Sequence, residues 1–313
     1  MEVRDQRQRP LKDLRISVTD RCNFRCHYCM PHEHYEWMRR EAILSYEEIT
    51  RLTRLLVELG VEKVRLTGGE PLVRRDLDRL VEMLAGLEGL GEISLTTNGS
   101  LLTPAWAARL KQAGLDRVNI SLDSLDRERF ARMSQRDELE ATLEGIEAAR
   151  TAGLRPVKIN AVIVRGVNDD EVGDLFDFAR ERDLHLRFIE YMDVGHAHGW
   201  TLEQTLGREE ILQRLRERVD LGDAQRHQGR APALDFAFEG GKVGIIASVS
   251  DPFCASCTRA RLTADGQLVT CLFASAGHDL RGLLRAGADD AGGDGGADAE
   301  AETDAATAGA VQG

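Results

Sequence analysis

Three cysteines fall within eight residues, Cys22, Cys26 and Cys29, in the run CNFRCHYC with the spacing CxxxCxxC. Cysteine thiolates hold iron–sulfur clusters, commonly four to a cubane. Three ligands this close can hold three irons of a four-iron cluster and leave the fourth open to a substrate or cofactor. A zinc knuckle or a set of unrelated buried thiols is the competing reading. Zinc motifs favour CxxC pairs with His partners, which this spacing is not. A second set lies far along the chain: Cys254 and Cys257 form CxxC, and Cys271 follows after thirteen intervening residues. Ala264-Asp265-Gly266 between them reads as a hairpin turn, so a β-ribbon would fold Cys271 back onto the pair. Structural zinc takes four ligands. Three thiolates with no evident fourth fit a second cluster with one open iron better.

Other residues could work beside these sets. Gly68-Gly69-Glu70-Pro71 directly follows a short apolar run. Two glycines let a backbone approach a ligand closely, and a carboxylate can bind an ammonium; an ordinary turn would also explain the run. Thr96-Thr97-Asn98-Gly99 and Ser121-Leu122-Asp123 close apolar runs too, where small polar residues are often mere turn formers. Arg15, Arg65, Lys158 and Arg187 sit on or at the ends of expected strands. Unpaired burial of charge is costly, so four cations on separate strands suggest an anionic ligand inside. Phosphate suits them, because Arg grips it bidentately. Salt bridges or solvated strand edges are the alternative. Arg259 and Arg261, two apart on the ribbon, would face one side and extend the row. His32, His34, His196 and His198 lie in polar loops and read as solvated.

The elements that must position these residues alternate. Strands are expected at Leu14–Val18, Val64–Leu66, Glu92–Thr96, Arg117–Leu122, Val157–Val164 and Leu184–Glu190. Between them run helical patterns: Ser45–Leu59, from Asp76 to about Gly86, Pro104–Gly114, a stretch ending at Ala152, and Asp170–Arg182. Ile49, Leu52, Leu55, Leu56 and Leu59 show the helical spacing most clearly. Strands alternating with such helices make a parallel sheet. The fold class is α/β. Six units are too few for a closed eight-fold barrel and fit an open, partial one, where chemistry would sit at the strands' carboxyl ends. A helix from Arg208 to Arg218 is plausible, and Gly229–Gly240 reads as a loop and a strand.

The chain has 313 residues with 42% hydrophobic content, enough for one large domain or one with an annex. No apolar run is long enough for a membrane span, and the polar start MEVRDQRQRP is not a secretory signal. Six cysteines without such a signal are expected to be metal ligands in a reducing compartment, the cytoplasm. The net charge is −12, but seven acids and no bases lie beyond Arg285. That acidity argues against non-specific nucleic-acid binding. The organisation expected is 1–195 for the barrel, 196–285 for a β-containing region with the second cysteine set, and 286–313 for a disordered acidic tail.

With both sets in view, the chain resembles the radical S-adenosylmethionine superfamily at CxxxCxxC. It resembles the GTP 3′,8-cyclases within that superfamily at DLRISVTDRCNFRCHYCMP, VRLTGGEPLVRRDL, SLTTNG, VNISLDSL, VKIN, RFIEYMD and SVSDPFCASCTRARLTADGQLVTCLFA. These are lyases that open molybdenum cofactor biosynthesis. The resemblance implies two 4Fe–4S clusters, one on Cys22, Cys26 and Cys29 for S-adenosylmethionine, the other on Cys254, Cys257 and Cys271 for guanine. It implies cofactor contacts at Tyr28, Gly68, Gly69, Glu70, Asn98, Ser121 and Met192. It implies GTP contacts at Arg15, Arg65, Thr96, Lys158, Arg187, Arg259 and Arg261, the last two acting also in catalysis. The implied reaction abstracts the ribose 3′ hydrogen and joins that carbon to C8 of guanine. An electron donor and a downstream cyclic pyranopterin monophosphate synthase would be partners, and a homodimer is compatible. Relatives end in Gly-Gly where this sequence ends Gln312-Gly313, so weak turnover is expected. A peptide-modifying radical enzyme would leave the cation row unexplained, and a plain electron carrier would not need the GGEP run.

Overall fold

Along Asp13–Ser17 the even positions, Leu14 and Ile16, are fully buried, while Asp13, Arg15 and Ser17 are half-buried. The same alternation recurs along Lys63–Thr67 and Lys158–Ile163, while Glu92–Thr97, Arg117–Ser121 and His185–Glu190 bury runs of three or four residues; the apolar side packs into one core with the helices. The computed structural model describes residues 4–290 apart from 31, 33, 195–198, 227–230 and 275. The six expected units are present. Strands β1 (Asp13–Ser17), β2 (Lys63–Thr67), β3 (Glu92–Thr97), β4 (Arg117–Ser121), β5 (Lys158–Ile163) and β6 (His185–Glu190) alternate with helices α1 (Tyr46–Glu58), α2 (Leu77–Ala85), α3 (Pro104–Gln112), α4 (Arg127–Ser134), α5 (Leu139–Thr151) and α6 (Val172–Glu181). Helix α1 starts where it does because Ser45 and Glu48 close a reciprocal capping box.

The remaining chain adds α7 (Arg208–Arg216), β7 (Ala224–Arg226), β8 (Leu234–Phe238), β9 (Gly241–Ile246), β10 (Arg259–Leu262), β11 (Gln267–Val269), β12 (His278–Asp279) and α8 (Leu280–Asp290). These strands do not form a separate sheet. All twelve belong to one, in the order β12-β11-β10-β1-β2-β3-β4-β5-β6-β9-β8-β7. Strand β10 lies parallel to β1 and β9 parallel to β6, so eight consecutive strands are parallel. Beyond them β11, β12, β8 and β7 run antiparallel. The barrel stays open, since β9 and β10 are not neighbours in the sheet. It is curved enough that Arg187 of β6 and Arg259 of β10 line the same cavity.

Helix α8 runs to Asp290 and so takes in the first five residues of the expected tail. Leu280 and Leu284 are buried beneath it, and Arg285 pairs with Glu48 of α1 at 2.7 Å. That anchor carries the helix into the alanine-rich stretch. The rest of the expected tail, 291–313, lies outside the described residues, as do His196 and His198.

Candidate active site

The Cys22–Cys29 loop leaves β1 and is tied down on both sides by backbone. Gly69 N donates to Thr19 O at 2.9 Å and Glu70 N to Arg21 O at 2.8 Å, while Arg25 N donates to Ser134 O at 2.9 Å. Phe24, buried, meets Phe130 edge-on with centroids 6.0 Å apart. The GGEP glycines serve this contact. A methyl on Gly69 would stand 2.3 Å from the Arg21 carbonyl oxygen, and one on Gly68 2.5 Å from that of Thr19. The close approach that two glycines allow is made here to the cysteine loop.

Glu70 and Asn98 take parts that the sequence did not disclose. Glu70 is 1% exposed. Its carboxylate accepts from Leu72 N, Thr97 Oγ1 and Asn98 N at 2.7–3.0 Å. Burial pushes its acid up to about 7 against those hydrogen bonds. It stitches the turn after β2 to the turn after β3. Asn98 donates to Asn23 Oδ1 at 2.9 Å and accepts from Ser100, bracing the cysteine loop from the other side. Tyr28 donates its hydroxyl to Asp123. Asp123 also accepts from Val162 N at 2.8 Å, and burial raises its acid to about 6. Asp123 therefore anchors the aromatic beside the third cysteine. Its sequence signal was only that of a polar strand end.

All six cysteines are free thiols. Burial pushes Cys22 up to about 11 and raises Cys26 and Cys29 as well, Cys29 being countered by the nearby Arg261 charge. Cys254, Cys257 and Cys271 open onto one cavity of about 500 Å³, within the usual size of ligand sites. Two sulfurs already receive N–H groups, Cys22 from Phe24 N at 3.4 Å and Cys257 from Arg259 Nη2 at 3.3 Å. Among the described residues no three His, Cys, Asp or Glu side chains converge on a single ion. The donor sets are two groups of three thiols, and N–H groups aimed at sulfur suit thiolates bound to iron.

The cations gather on the inner face. Arg15, Arg65, Arg187, Arg259 and Arg261 line the same cavity as the second thiol set. Thr96 and Met192 line it as well. Lys158 does not; it lines a second cavity of about 450 Å³ toward the amino-terminal strand ends, which shares Arg15, Arg65, Arg187 and Arg259 with the first. The row thus runs down the barrel rather than sitting at its carboxyl rim. These charges repel one another. Burial, then Arg65, Arg259 and Arg261, lower Arg15 far below the usual guanidinium range. Arg65 falls to about 10 and Lys158 to about 6, both chiefly through burial. The nearest carboxylates offset part of this charge and hold partners of their own: Glu92 pairs with Arg117 at 2.5 Å and Asp235 with Lys242 at 3.0 Å, and Asp13 accepts from Thr258 at 3.0 Å. Arg187 Nε has no partner among the described residues. A buried group in which the cations outnumber the carboxylates beside them, Asp13, Glu92 and Asp235, suits an anionic ligand.

Ser121 ends β4, beside Asn160 of β5. Arg259 also lies over the Phe253 ring at 4.8 Å, which fixes it next to the second thiol set. Arg261 connects the two sets, since it lines the cavity of the second and is charge-coupled to Cys29 of the first.

Comparison with known proteins finds two family models along the chain. Residues 16–179 match the Radical SAM superfamily and residues 184–292 match Molybdenum Cofactor Synthesis C. The chain is 48% identical to a GTP 3′,8-cyclase of Acidothermus cellulolyticus, over 92% of this chain and 82% of that one. It is 50% identical to a GTP 3′,8-cyclase of Streptomyces coelicolor, over 89% and 82%. Among solved structures, Streptococcus suis SuiB bound to S-adenosylmethionine superposes with a TM-score of 0.61 at 16% identity, over 83% of this chain and 60% of that one. That likeness concerns the fold.

Proposed function

The chain belongs to the GTP 3′,8-cyclases, radical S-adenosylmethionine enzymes of molybdenum cofactor biosynthesis, and on that premise we propose how its own residues divide the work. The reaction converts GTP to (8S)-3′,8-cyclo-7,8-dihydroguanosine 5′-triphosphate. The observation that carries the assignment of parts is the cation row, only partly offset by carboxylates and buried in a barrel whose cavity also exposes a set of three thiols.

Cys22, Cys26 and Cys29 would hold one four-iron cluster, and Cys254, Cys257 and Cys271 a second. When bound, the clusters and S-adenosylmethionine would supply one-electron radical chemistry directed at the ribose 3′ position. The protein's part is placement. Tyr28, held by Asp123, flanks the third cysteine and offers a ring for the adenine. Gly68 and Gly69 hold the cysteine loop against the β2 turn, with Glu70 and Asn98 bracing the same joint. Ser121 and Met192 complete the cofactor side. Arg15, Arg65, Lys158 and Arg187 hold the triphosphate along the barrel axis. Thr96 lies above them, and Arg259 and Arg261 sit where phosphate and base meet. A reductant supplies electrons, and a cyclic pyranopterin monophosphate synthase takes the product. Six free thiols suit the reducing cytoplasm.

The test is anaerobic reconstitution with iron and sulfide, followed by S-adenosylmethionine, dithionite and GTP labelled with deuterium at C3′. Deuterium should appear in 5′-deoxyadenosine, and a new isomer of GTP should separate on chromatography. Cofactor cleavage with GTP returned unchanged would sink the reading. Replacing Arg259 or Arg261 by Ala removes a charge-assisted contact of about 1.5–3 kcal/mol, a loss of about tenfold or more in GTP affinity. S-adenosylmethionine binding should barely change; equal losses for both ligands would mean collapse of the ribbon.

A further inference from the structure

Two asparagines line the upper cavity with polar atoms that nothing among the described residues satisfies. Asn119 on β4 is 1% exposed and lines that cavity. Its Oδ1 accepts from Arg117 Nη1 at 3.2 Å, which turns Nδ2 the other way, and Nδ2 has no partner among the described residues. Asn160 on β5 lines the same cavity, and its buried Oδ1 is likewise without a partner. Buried polar groups are nearly always hydrogen-bonded, because leaving one unmade forfeits its hydration. Two such groups facing one cavity are explained by a ligand that supplies the missing partners.

The sheet register says which part of the ligand. Asn119 stands between Thr96 and Lys158. Asn160 stands between Ser121, on the cofactor side, and Arg187, on the phosphate side. A nucleotide with its phosphates on the cation row and its reacting carbon toward the cofactor must pass its sugar through this level. The amides offer one donor and one acceptor there, and a ribose hydroxyl is both. We propose that Asn119 and Asn160 grip the 2′ and 3′ hydroxyls of the bound nucleotide, making them positioning residues that point the 3′ carbon and select ribose over deoxyribose. This rests on the GTP reading given above.

The experiment is equilibrium binding to the cluster-loaded enzyme, anaerobic and without reductant, so that nothing turns over. GTP, 2′-deoxy-GTP and 3′-deoxy-GTP are compared on the wild type, Asn119→Ala and Asn160→Ala. At least one deoxy analogue should bind the wild type about tenfold more weakly than GTP, the loss expected when a buried polar group is left unpaired. In the variant lacking the matching amide, GTP should fall to the level of that analogue while the analogue itself is unchanged. Equal losses for GTP and both analogues would overturn the proposal, since a structural role or a contact to base or phosphate gives that pattern. Analogues that bind the wild type as well as GTP does would overturn it too. Asn119→Ser and Asn160→Ser, checked for unchanged melting temperature and S-adenosylmethionine affinity, decide the matter the same way if an alanine variant loads poorly. A wild type that binds S-adenosylmethionine but none of the three nucleotides overturns the GTP reading itself.

Discussion

Burial, and then Arg187, Arg117 and Arg65, push the Lys158 ammonium down to about 6. In the unfolded chain the same lysine stays charged to about 10.4. Between those values the unfolded state binds the extra proton, so this residue makes stability rise with pH across the window, and its cost is greatest below about pH 6. Lys158→Met should therefore raise the melting temperature, by more at pH 6.5 than at pH 9.5. It should weaken GTP at both. A triphosphate beside Lys158 restores its charge, so GTP binding near pH 8 should take up a proton, about one per site at most. Calorimetry in buffers of different ionisation enthalpy reads that uptake, and Lys158→Met should lose it. A melting difference that grew with pH would contradict the assignment. The residue types of this row were legible as cations on separate strands, because an Arg or Lys at an inward strand position is conspicuous. Their depth was not: nothing in the sequence says that Lys158 lies one cavity below Arg261. Asn119 and Asn160 escaped notice because an asparagine in a strand carries no signal until its neighbours in the register are known.

At the scale of elements, the joint between the cysteine loop and the turns after β2 and β3 does most to set the cofactor side. It is built from backbone contacts at Thr19 and Arg21, the Glu70 carboxylate and the Asn23–Asn98 amide pair. Gly69→Ala would place a methyl 2.3 Å from the Arg21 carbonyl oxygen, backbone against backbone, so the loop must shift. The expected outcome is loss of the first cluster with the second kept, bound iron falling from about eight to about four per chain. Iron analysis, with GTP binding retained, checks it. If Gly69→Ala held its full iron and cleaved S-adenosylmethionine normally, the close packing would not be what positions the loop. Helix and strand periods were legible here, and so was the coincidence of GGEP with a strand end. The direction in which Glu70 and Asn98 turn was not. Their partners lie 28 and 75 residues away in sequence, and only the parallel pairing of β2 with β3 brings those turns side by side.

For the whole molecule, the C-terminal region supplies both flanks of the barrel. Strand β10 covers β1 through the pairing of Asp13–Ile16 with Arg259–Leu262, and β9 covers β6 through the pairing of Arg187–Ile189 with Gly244–Ile246. Helix α8 then returns to α1 through Arg285 and Glu48. The end of the βα alternation after β6 was readable from the sequence. The interleaving was not, since a short strand such as RARL carries no mark of the edge it will join. The arrangement has a consequence for stability. A fragment of residues 1–195 would expose two unpaired parallel strand edges, with Leu14, Ile16 and Phe188 beside them, all fully buried in the whole chain. Open, apolar edges recruit other chains, and parallel sheets exist only with both faces covered. The fragment should therefore associate, and should show no cooperative melting as a monomer. The full chain should unfold from barrel and C-terminal region together, with circular dichroism and the visible absorbance of the second cluster lost over the same urea range. Sedimentation of the fragment and the two-probe titration of the whole protein measure this. A monomeric 1–195 fragment that melts cooperatively would show that the barrel stands alone, and that β9 and β10 only close the cavity.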